Sequence, residues 1–393
     1  MTREDATNIV ILSALWERAD LALGGIKYAV EMERRLSTVR PLALVTQPLG
    51  MNGEVRASTL NAFARSRAKR IFYYLMLASL VIKSTQIIRR SGVPAVASFG
   101  VSWVNDIAAL LASLLTGRKL IMIFHHWPYS GHSLGQIFRA MRGEGRNLPA
   151  SILAALDRAV ALRALRRASL VVTPSEYSRR TLLSMVPAAN AVVVQPGVDD
   201  AFFSGPAARP DARFDGIAVN RMAPEKGIYD LVEIWSMVVR RLPGAKLAVH
   251  GHPTGILGDW LGRVRSMGLE RNIEYLGTTS VEELARDLRR SKVFLFPSHL
   301  EGFGIAVAEA MASGLPVVCY DIPPMNQVFR SEGTFFVREG DYAAFADAVI
   351  RLLQDPGLRE SAGRANAEFA RRFNWDASAR RFEFALLKTL SRP

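Results

Sequence analysis

Cysteine is almost absent: Cys319 is the only one in 393 residues. An internal disulfide is therefore excluded, and the fold must rest on its core. A chain of this length buries most of its surface without covalent staples. Long apolar runs are missing too. A membrane-crossing helix needs about 20 apolar residues, and the run Ile71–Ile82 (IFYYLMLASLVI) offers 12. The stretch Gly92–Gly117 is longer and nearly uncharged, but it contains Pro94, Asn105 and Asp106, so it reads as a buried strand plus a helix. The opening MTREDATNIVILSAL has acids where a secretory signal needs base, and its apolar stretch is short. The chain is accordingly expected in the cytoplasm. Hydrophobic residues at 49% and charged residues at 22% exclude a mainly disordered protein.

Acidic residues are scarce in one half only. Residues 1–200 hold 25 Lys/Arg against 13 Asp/Glu, and residues 201–393 hold 25 against 23. The segment 55–180 is the extreme, with 19 against 4. A basic surface attracts the phosphates of nucleic acid, of anionic lipid or of a phosphorylated substrate. Nucleic-acid binding would need aromatics interleaved with the charge on one face. The aromatics here fall mainly in expected strands and helices, so no nucleic-acid partner is expected.

What is there is an alternation of short Val/Ile-rich runs and longer helical stretches. NIVILSAL (8–15), LALVTQ (42–47), AVASFG (95–100), KLIMIF (119–124), LVVTPS (170–175) and AVVVQP (191–196) read as strands. A second series follows with GIAVNR (216–221), KLAVHG (246–251), IEYLG (273–277), VFLFPS (293–298) and PVVCY (316–320). Strands separated by helices imply parallel sheets built from βαβ units. The Pro/Ala/Gly-rich stretch Asp200–Asp215 separates the two series. The expected class is α/β with two doubly wound domains, 1–204 and 205–374. The helical C-terminal segment, about 375–393, is expected to pack back on the first domain. In such folds ligands sit outside the carboxyl ends of the strands, and a cleft between two domains is the natural site.

The richest text is Pro297–Tyr320, PSHLEGFGIAVAEAMASGLPVVCY. It follows the strand VFLF. Gly302 and Gly304 keep backbone N–H groups accessible in a turn. A helix begins near Ile305 and ends at Gly314, with Pro316 just beyond. A strand, a Gly-rich turn and a helix N-terminus favour phosphate through their N–H groups and the macrodipole. Glu301 precedes this helix, and Glu309 leans back toward the same turn. Two carboxylates beside a phosphate-binding turn suit a ligand that also carries hydroxyls, a sugar and a ribose.

Glu301-Gly-Phe-Gly-Ile-Ala-Val-Ala-Glu309 resembles the E-x7-E motif of the family 4 retaining glycosyltransferases with the GT-B fold. Asn220-Arg-Met-Ala-Pro-Glu-Lys226-Gly227 is similar to that family's G-R-x-x-x-x-K-G, with Asn220 in place of the usual glycine. Weaker matches are Gly24-Gly25 after the first strand, His125 closing LIMIF, the hinge-like Gln195–Asp199, and Tyr275–Thr278 around Leu276. The resemblance covers roughly 8–390. The chain departs from it at His250-Gly-His-Pro and at Pro323-Pro324-Met325.

The resemblance implies two Rossmann-like domains facing across a cleft. It also implies transfer of a hexose from a nucleotide sugar, GDP-mannose or a UDP-hexose, to an acceptor hydroxyl with retention at the anomeric carbon. Arg221 and Lys226 would clamp the diphosphate, aided by Gly24, Gly25 and the turn Gly302, Phe303, Gly304 and Ile305. Glu301 would hold sugar hydroxyls, Glu309 the ribose, and the backbone near Leu276 the base, with His125 contacting the sugar. No cofactor or metal is expected. No DxD-like box is evident, and the spacing of His125, His126 and His132 fits no standard zinc pattern. The basic residues Arg65, Arg67, Lys69 and Arg70, ahead of the apolar run 71–82, suit an anionic membrane surface. That points to a lipid-linked or polysaccharide acceptor and a peripheral place on the inner face of the cell membrane. The competing reading is a non-catalytic GT-B-like scaffold or anion-binding protein. Loss of Arg221, Lys226 or Glu309 would favour it, and all three are present.

Overall fold

The computed structural model describes residues 7–12, 24–37, 39–44, 67–99, 103–125, 159–203 and 212–392. Strand runs such as Ile9–Leu12 and Val317–Tyr320 are continuously apolar because helices cover both faces of a parallel sheet. The chain divides into two units. One is built on Gly25–Gln195 with Asp376–Pro393, the other on Pro196–Trp375.

The first unit carries β1 (Thr7–Leu12), β2 (Val39–Leu44), β3 (Ala95–Ser98), β4 (Lys119–Ile123), β5 (Leu170–Thr173) and β6 (Ala191–Val193). All pairings are parallel, in the order β2-β1-β3-β4-β5-β6. Its helices include α1 (Gly24–Arg34), α2 (Arg67–Ser91), α3 (Trp103–Thr116) and α4 (Glu176–Met185). The run Ile71–Ile82 lies inside α2, and Gly92–Gly117 spans β3 and α3. Among the described residues no helix is long and apolar enough to cross a membrane.

The second unit carries β7 (Phe214–Val219), β8 (Leu247–His250), β9 (Ile273–Gly277), β10 (Ser291–Phe296), β11 (Val317–Tyr320) and β12 (Thr334–Val337), in the parallel order β12-β11-β10-β7-β8-β9. Its helices are α5 (Asp200–Phe203), α6 (Ile228–Arg241), α7 (Leu257–Ser266), α8 (Val281–Arg289), α9 (Ile305–Ala312), α10 (Met325–Val328), α11 (Tyr342–Gln354) and α12 (Pro356–Ala370). The final helix, α13 (Trp375–Leu390), packs within the first unit from Asp376 onward. There Arg35 pairs with Asp376 at 3.0 Å, Ser37 Oγ donates to Glu383 at 3.0 Å, and Phe382 meets Phe99 edge-on.

Two details depart from the sequence-based expectation. The division falls at Gln195/Pro196 rather than after 204. Phe202 is buried in the second unit's core, and Arg289 Nη1 donates to the Ala201 carbonyl at 2.7 Å, so α5 cannot end the first unit. The edge strand β12 was not expected. Its TFFV is too short, and Phe335 and Phe336 are both only half-buried, so neither alternation nor a buried run marks it.

Candidate active site

In an open parallel sheet, ligands bind where the strand order reverses. In the second unit that point lies between β7 and β10, which pair through Ile217 and Phe294. Both specific motifs leave from it: Asn220–Gly227 follows β7, and Pro297–Gly304 follows β10. The topology thus brings together two texts about 80 residues apart in sequence.

Their contacts are direct. Lys226 Nζ donates to Glu301 Oε1 at 2.7 Å and to the Leu300 carbonyl at 2.8 Å. Ser298 Oγ donates to the same Glu301 oxygen at 2.9 Å. The His299 N–H donates to the Glu225 carbonyl at 3.0 Å. The two loops are packed so closely that a Cβ on Gly227 would lie 1.7 Å from the Pro297 carbonyl oxygen. Arg221 is more exposed and pairs with Glu225. Asn220 stands where a glycine was expected, and the tight approach is met from the other side. A Cβ on Gly251 would lie 1.9 Å from the Asn220 carbonyl oxygen.

Gly304 caps α9 with φ 105, a left-handed conformation that suits glycine. It also accommodates Met325, whose Cε would lie 2.7 Å from an added Cβ. The Pro323-Pro324-Met325 departure therefore shapes this turn. Ile305 opens α9, and Glu309 is buried one turn inside it. The α9 N-terminus adds its partial positive charge to that of Lys226. Phe303 is committed to the core, edge-on to Phe329 and Phe373. Leu276 is half-buried on β9. Beside it, Tyr275 donates to the Gly251 carbonyl at 2.7 Å.

Behind Glu301 lies a network that no motif marks. His299 Nδ1 is 2.7 Å from Glu339 Oε1, and Nε2 is 3.1 Å from Asp230 Oδ2. Tyr320 donates to the same Asp230 oxygen at 2.6 Å. Hydrogen bonding to Asp230 raises the His299 pKa to about 9, against the opposing pull of burial, with Glu339 assisting. Burial alone would raise Asp230, but the bonds from His299 and Tyr320 outweigh it and hold its carboxyl low. His299 is thus an imidazolium at neutral pH.

In the first unit the strand order reverses between β1 and β3. Gly24 and Gly25 form the start of α1, the helix after β1. His125 follows β4. Ser178 Oγ donates to its carbonyl at 2.9 Å, and Tyr28 meets its ring edge-on at 5.5 Å. Burial lowers the His125 pKa to about 4, and a hydrogen bond with the Phe99 backbone opposes this. The ring is therefore neutral. Its Nε2 is buried and has no hydrogen-bond partner among the described residues. A neutral imidazole with a free nitrogen can exchange a hydrogen bond with a sugar hydroxyl. Arg67, Lys69 and Arg70 lie in the first turn of α2. Arg65, His126 and His132 lie outside the described residues. Among the described residues no group of three His, Cys, Asp or Glu is placed to hold a metal ion.

Two family profiles match the chain and meet at 202/203, seven residues beyond the division between the units. "Glycosyltransferase Family 4" matches residues 52–202, and "Glycosyl transferases group 1" matches residues 203–369. The chain belongs to the group 1, family 4 glycosyltransferases. Among curated relatives of this family, D-inositol 3-phosphate glycosyltransferase of Actinosynnema mirum is 31% identical over 52% of this chain and 53% of its own. Phosphatidyl-myo-inositol mannosyltransferase of Mycobacterium leprae is 35% identical over 40% of this chain and 41% of its own. The chain spans about half the length of such relatives. Solved structures extend the likeness to nearly the whole chain. Sucrose-phosphate synthase from Thermosynechococcus elongatus superposes with TM-score 0.73 at 19% identity, covering 98% of both chains. HepE of Anabaena, solved with UDP and glucose, superposes with TM-score 0.69 at 14% identity, covering 97% of this chain and 100% of its own. The fold is GT-B.

Proposed function

We propose that the protein transfers a hexose from a nucleotide sugar, GDP-mannose or a UDP-hexose, to an acceptor hydroxyl with retention of anomeric configuration. The observation that carries this reading is the Lys226–Glu301 contact of 2.7 Å at the β7/β10 reversal, beside the α9 N-terminus. It sets a cation next to a carboxylate, close in the chain to the N-terminal N–H groups of α9. The cation and N–H groups suit a diphosphate, and the carboxylate suits sugar hydroxyls. HepE, a neighbour in fold, was solved with UDP and glucose, which agrees with such a donor.

In this scheme Lys226, Arg221 and the α9 terminus offset the charge that develops on the leaving diphosphate. Arg221 leaves Glu225 to fork onto the phosphate oxygens. Glu301 accepts from the transferred sugar, Glu309 from the ribose, and the neutral His125 bonds a sugar hydroxyl. The charge is met by side chains and backbone, so transfer is proposed to need no metal.

The acceptor is proposed to be a lipid-linked or polysaccharide intermediate handled at an anionic membrane surface. Support comes from the outer face of α2 and α3. Ile82 is exposed on α2 and Leu111, Leu114 and Leu115 on α3, and Lys83, Arg89, Arg90 and Arg118 are exposed too, Arg89 reaching the Leu115 carbonyl.

The test is a thermal-shift panel with UDP, GDP, ADP and their sugar conjugates, on wild type and Lys226→Ala. A site filled at 100 times its dissociation constant stabilises by about 2.7 kcal/mol. Stabilisation by one base, lost in the variant, is the expected result and names the donor class. A folded protein that responds to no nucleotide points instead to the non-catalytic scaffold. The anomeric proton of the product, read by NMR, checks retention.

A further inference from the structure

We propose that His299 is a positioning residue. Held between Asp230 and Glu339, it fixes the loop that presents Glu301 and, through the Glu225 carbonyl, the loop that presents Lys226. The proposal rests on the nucleotide-sugar reading above. His299 touches no reacting atom in this scheme and acts through its neighbours.

The geometry spans four elements. Asp230 stands in the first turn of α6, directly after the Lys226-Gly227 loop. Glu339 follows β12, and Tyr320 ends β11. Tyr342 opens α11, and it also bonds Asp230. His299 lies two residues before Glu301, and both of its ring nitrogens engage carboxylates. Its own N–H holds the Glu225 carbonyl, one residue before Lys226. One residue therefore ties both loops of the donor site together: its ring joins the loop of Glu301 to α6 and to the end of β12, and its backbone N–H joins that loop to Glu225. A neutral imidazole has one N–H, so it can donate to only one carboxylate. Only the doubly protonated ring holds both ends.

The groups facing His299 separate cleanly in titration. Burial, with the bond to Asp230, pushes the Tyr320 hydroxyl up, and burial does the same for Tyr342. The Asp230 carboxyl is held low. The imidazolium is the member of this network that loses its charge as pH rises through about 9. A raised folded pKa means its contribution is full below the free-histidine value near 6.5 and is lost toward 9.

The experiment uses the full chain, wild type and His299→Gln, with UDP and GDP as probes. Affinity is measured by calorimetry from about pH 7 to about pH 10. Wild-type affinity for the preferred nucleotide should hold to about pH 8 and fall through about 9. The variant should bind about tenfold more weakly at neutral pH and show only the smaller fall that ionisation of the uracil or guanine ring itself causes at alkaline pH. Asp230→Asn should weaken binding similarly, and the double variant should be little worse than either single one. Wild-type affinity in His299→Gln, with the alkaline fall intact, would overturn the proposal. A second measurement needs no nucleotide: amide hydrogen exchange of 225–227 and 298–301. Faster exchange there in the variant, with α8 unchanged, supports the positioning role, and identical exchange sinks it. If wild type binds neither nucleotide, the donor reading fails by itself, and the exchange result still decides the role of His299.

Discussion

Gly227 has a left-handed φ of 66 and no room for a side chain, since a Cβ would meet the Pro297 carbonyl oxygen at 1.7 Å. Neither atom belongs to a flexible side chain, so one loop must move. Gly227→Ala should cost about 2 kcal/mol or more and should separate Lys226 from Glu301. Gly244→Ala is the control: its Cβ would meet nothing within 4 Å, and the change should fall within about 0.5 kcal/mol. Urea unfolding of the two variants makes the comparison. The Lys226–Glu301 pair is itself mostly buried, with side chains 19% and 10% exposed. Glu301→Ala strands the ammonium against the Leu300 carbonyl and should destabilise the unliganded protein by about 3 kcal/mol. If denaturation midpoints barely shift, the pair is not the electrostatic anchor described above. At this scale the motif text made Arg221, Lys226, Glu301 and Glu309 legible, because their spacing is local. His299 was not legible. Its partners Asp230, Tyr320 and Glu339 are distant in sequence, and a histidine between serine and leucine looks like any loop residue.

Among the elements, the buried strands were readable because parallel sheets covered on both faces demand unbroken apolar runs. The helix of the E-x7-E text was readable from its punctuation, Gly304 before it and Gly314, with φ 71, after it. The edge strand β12 was not, because an edge needs no such run. It is held instead from behind by α12. Asn366, fully buried there, donates from Nδ2 to the carbonyls of Leu315 and Gly333, both at 2.8 Å. These carbonyls precede β11 and β12. Asn366→Ala leaves both without that donor and opens a cavity, at a cost of about 3 kcal/mol. Chemical denaturation measures this, and a loss near zero would mean water replaces the amide. The boundary between the units was misplaced for a related reason. Composition marks the loose stretch after 203, whereas packing assigns Phe202 to the second core. Loop chemistry shows where a chain is free to turn, not which core its last buried side chain has joined.

For the molecule as a whole, the formal charge of +14 matters less than its placement. The second half of the chain nearly balances its charges, and the excess lies in residues 55–180, of which α2 and α3 are a part. Helix α2 carries six basic residues and no acid. Arg89 reaches the Leu115 carbonyl at 3.5 Å, which places the exposed leucines of α3 beside the basic end of α2. Leu111, Leu114 and Leu115 are exposed on one short stretch of α3, and Ile82 is exposed on α2. An anionic bilayer would accept both features, with the cations at its headgroups and the apolar side chains at the acyl boundary. Each basic side chain near such a surface contributes about 1 kcal/mol, and salt weakens that contribution. Co-sedimentation with anionic and neutral vesicles should therefore show binding to the anionic ones alone, falling as salt rises. Leu114→Asp with Leu115→Asp should reduce that binding and leave nucleotide stabilisation intact, because these residues lie in a different unit from Lys226 and Glu301. Equal sedimentation with both vesicle types would remove the lipid surface from the proposed function. The donor site, argued from the other half of the chain, would stand.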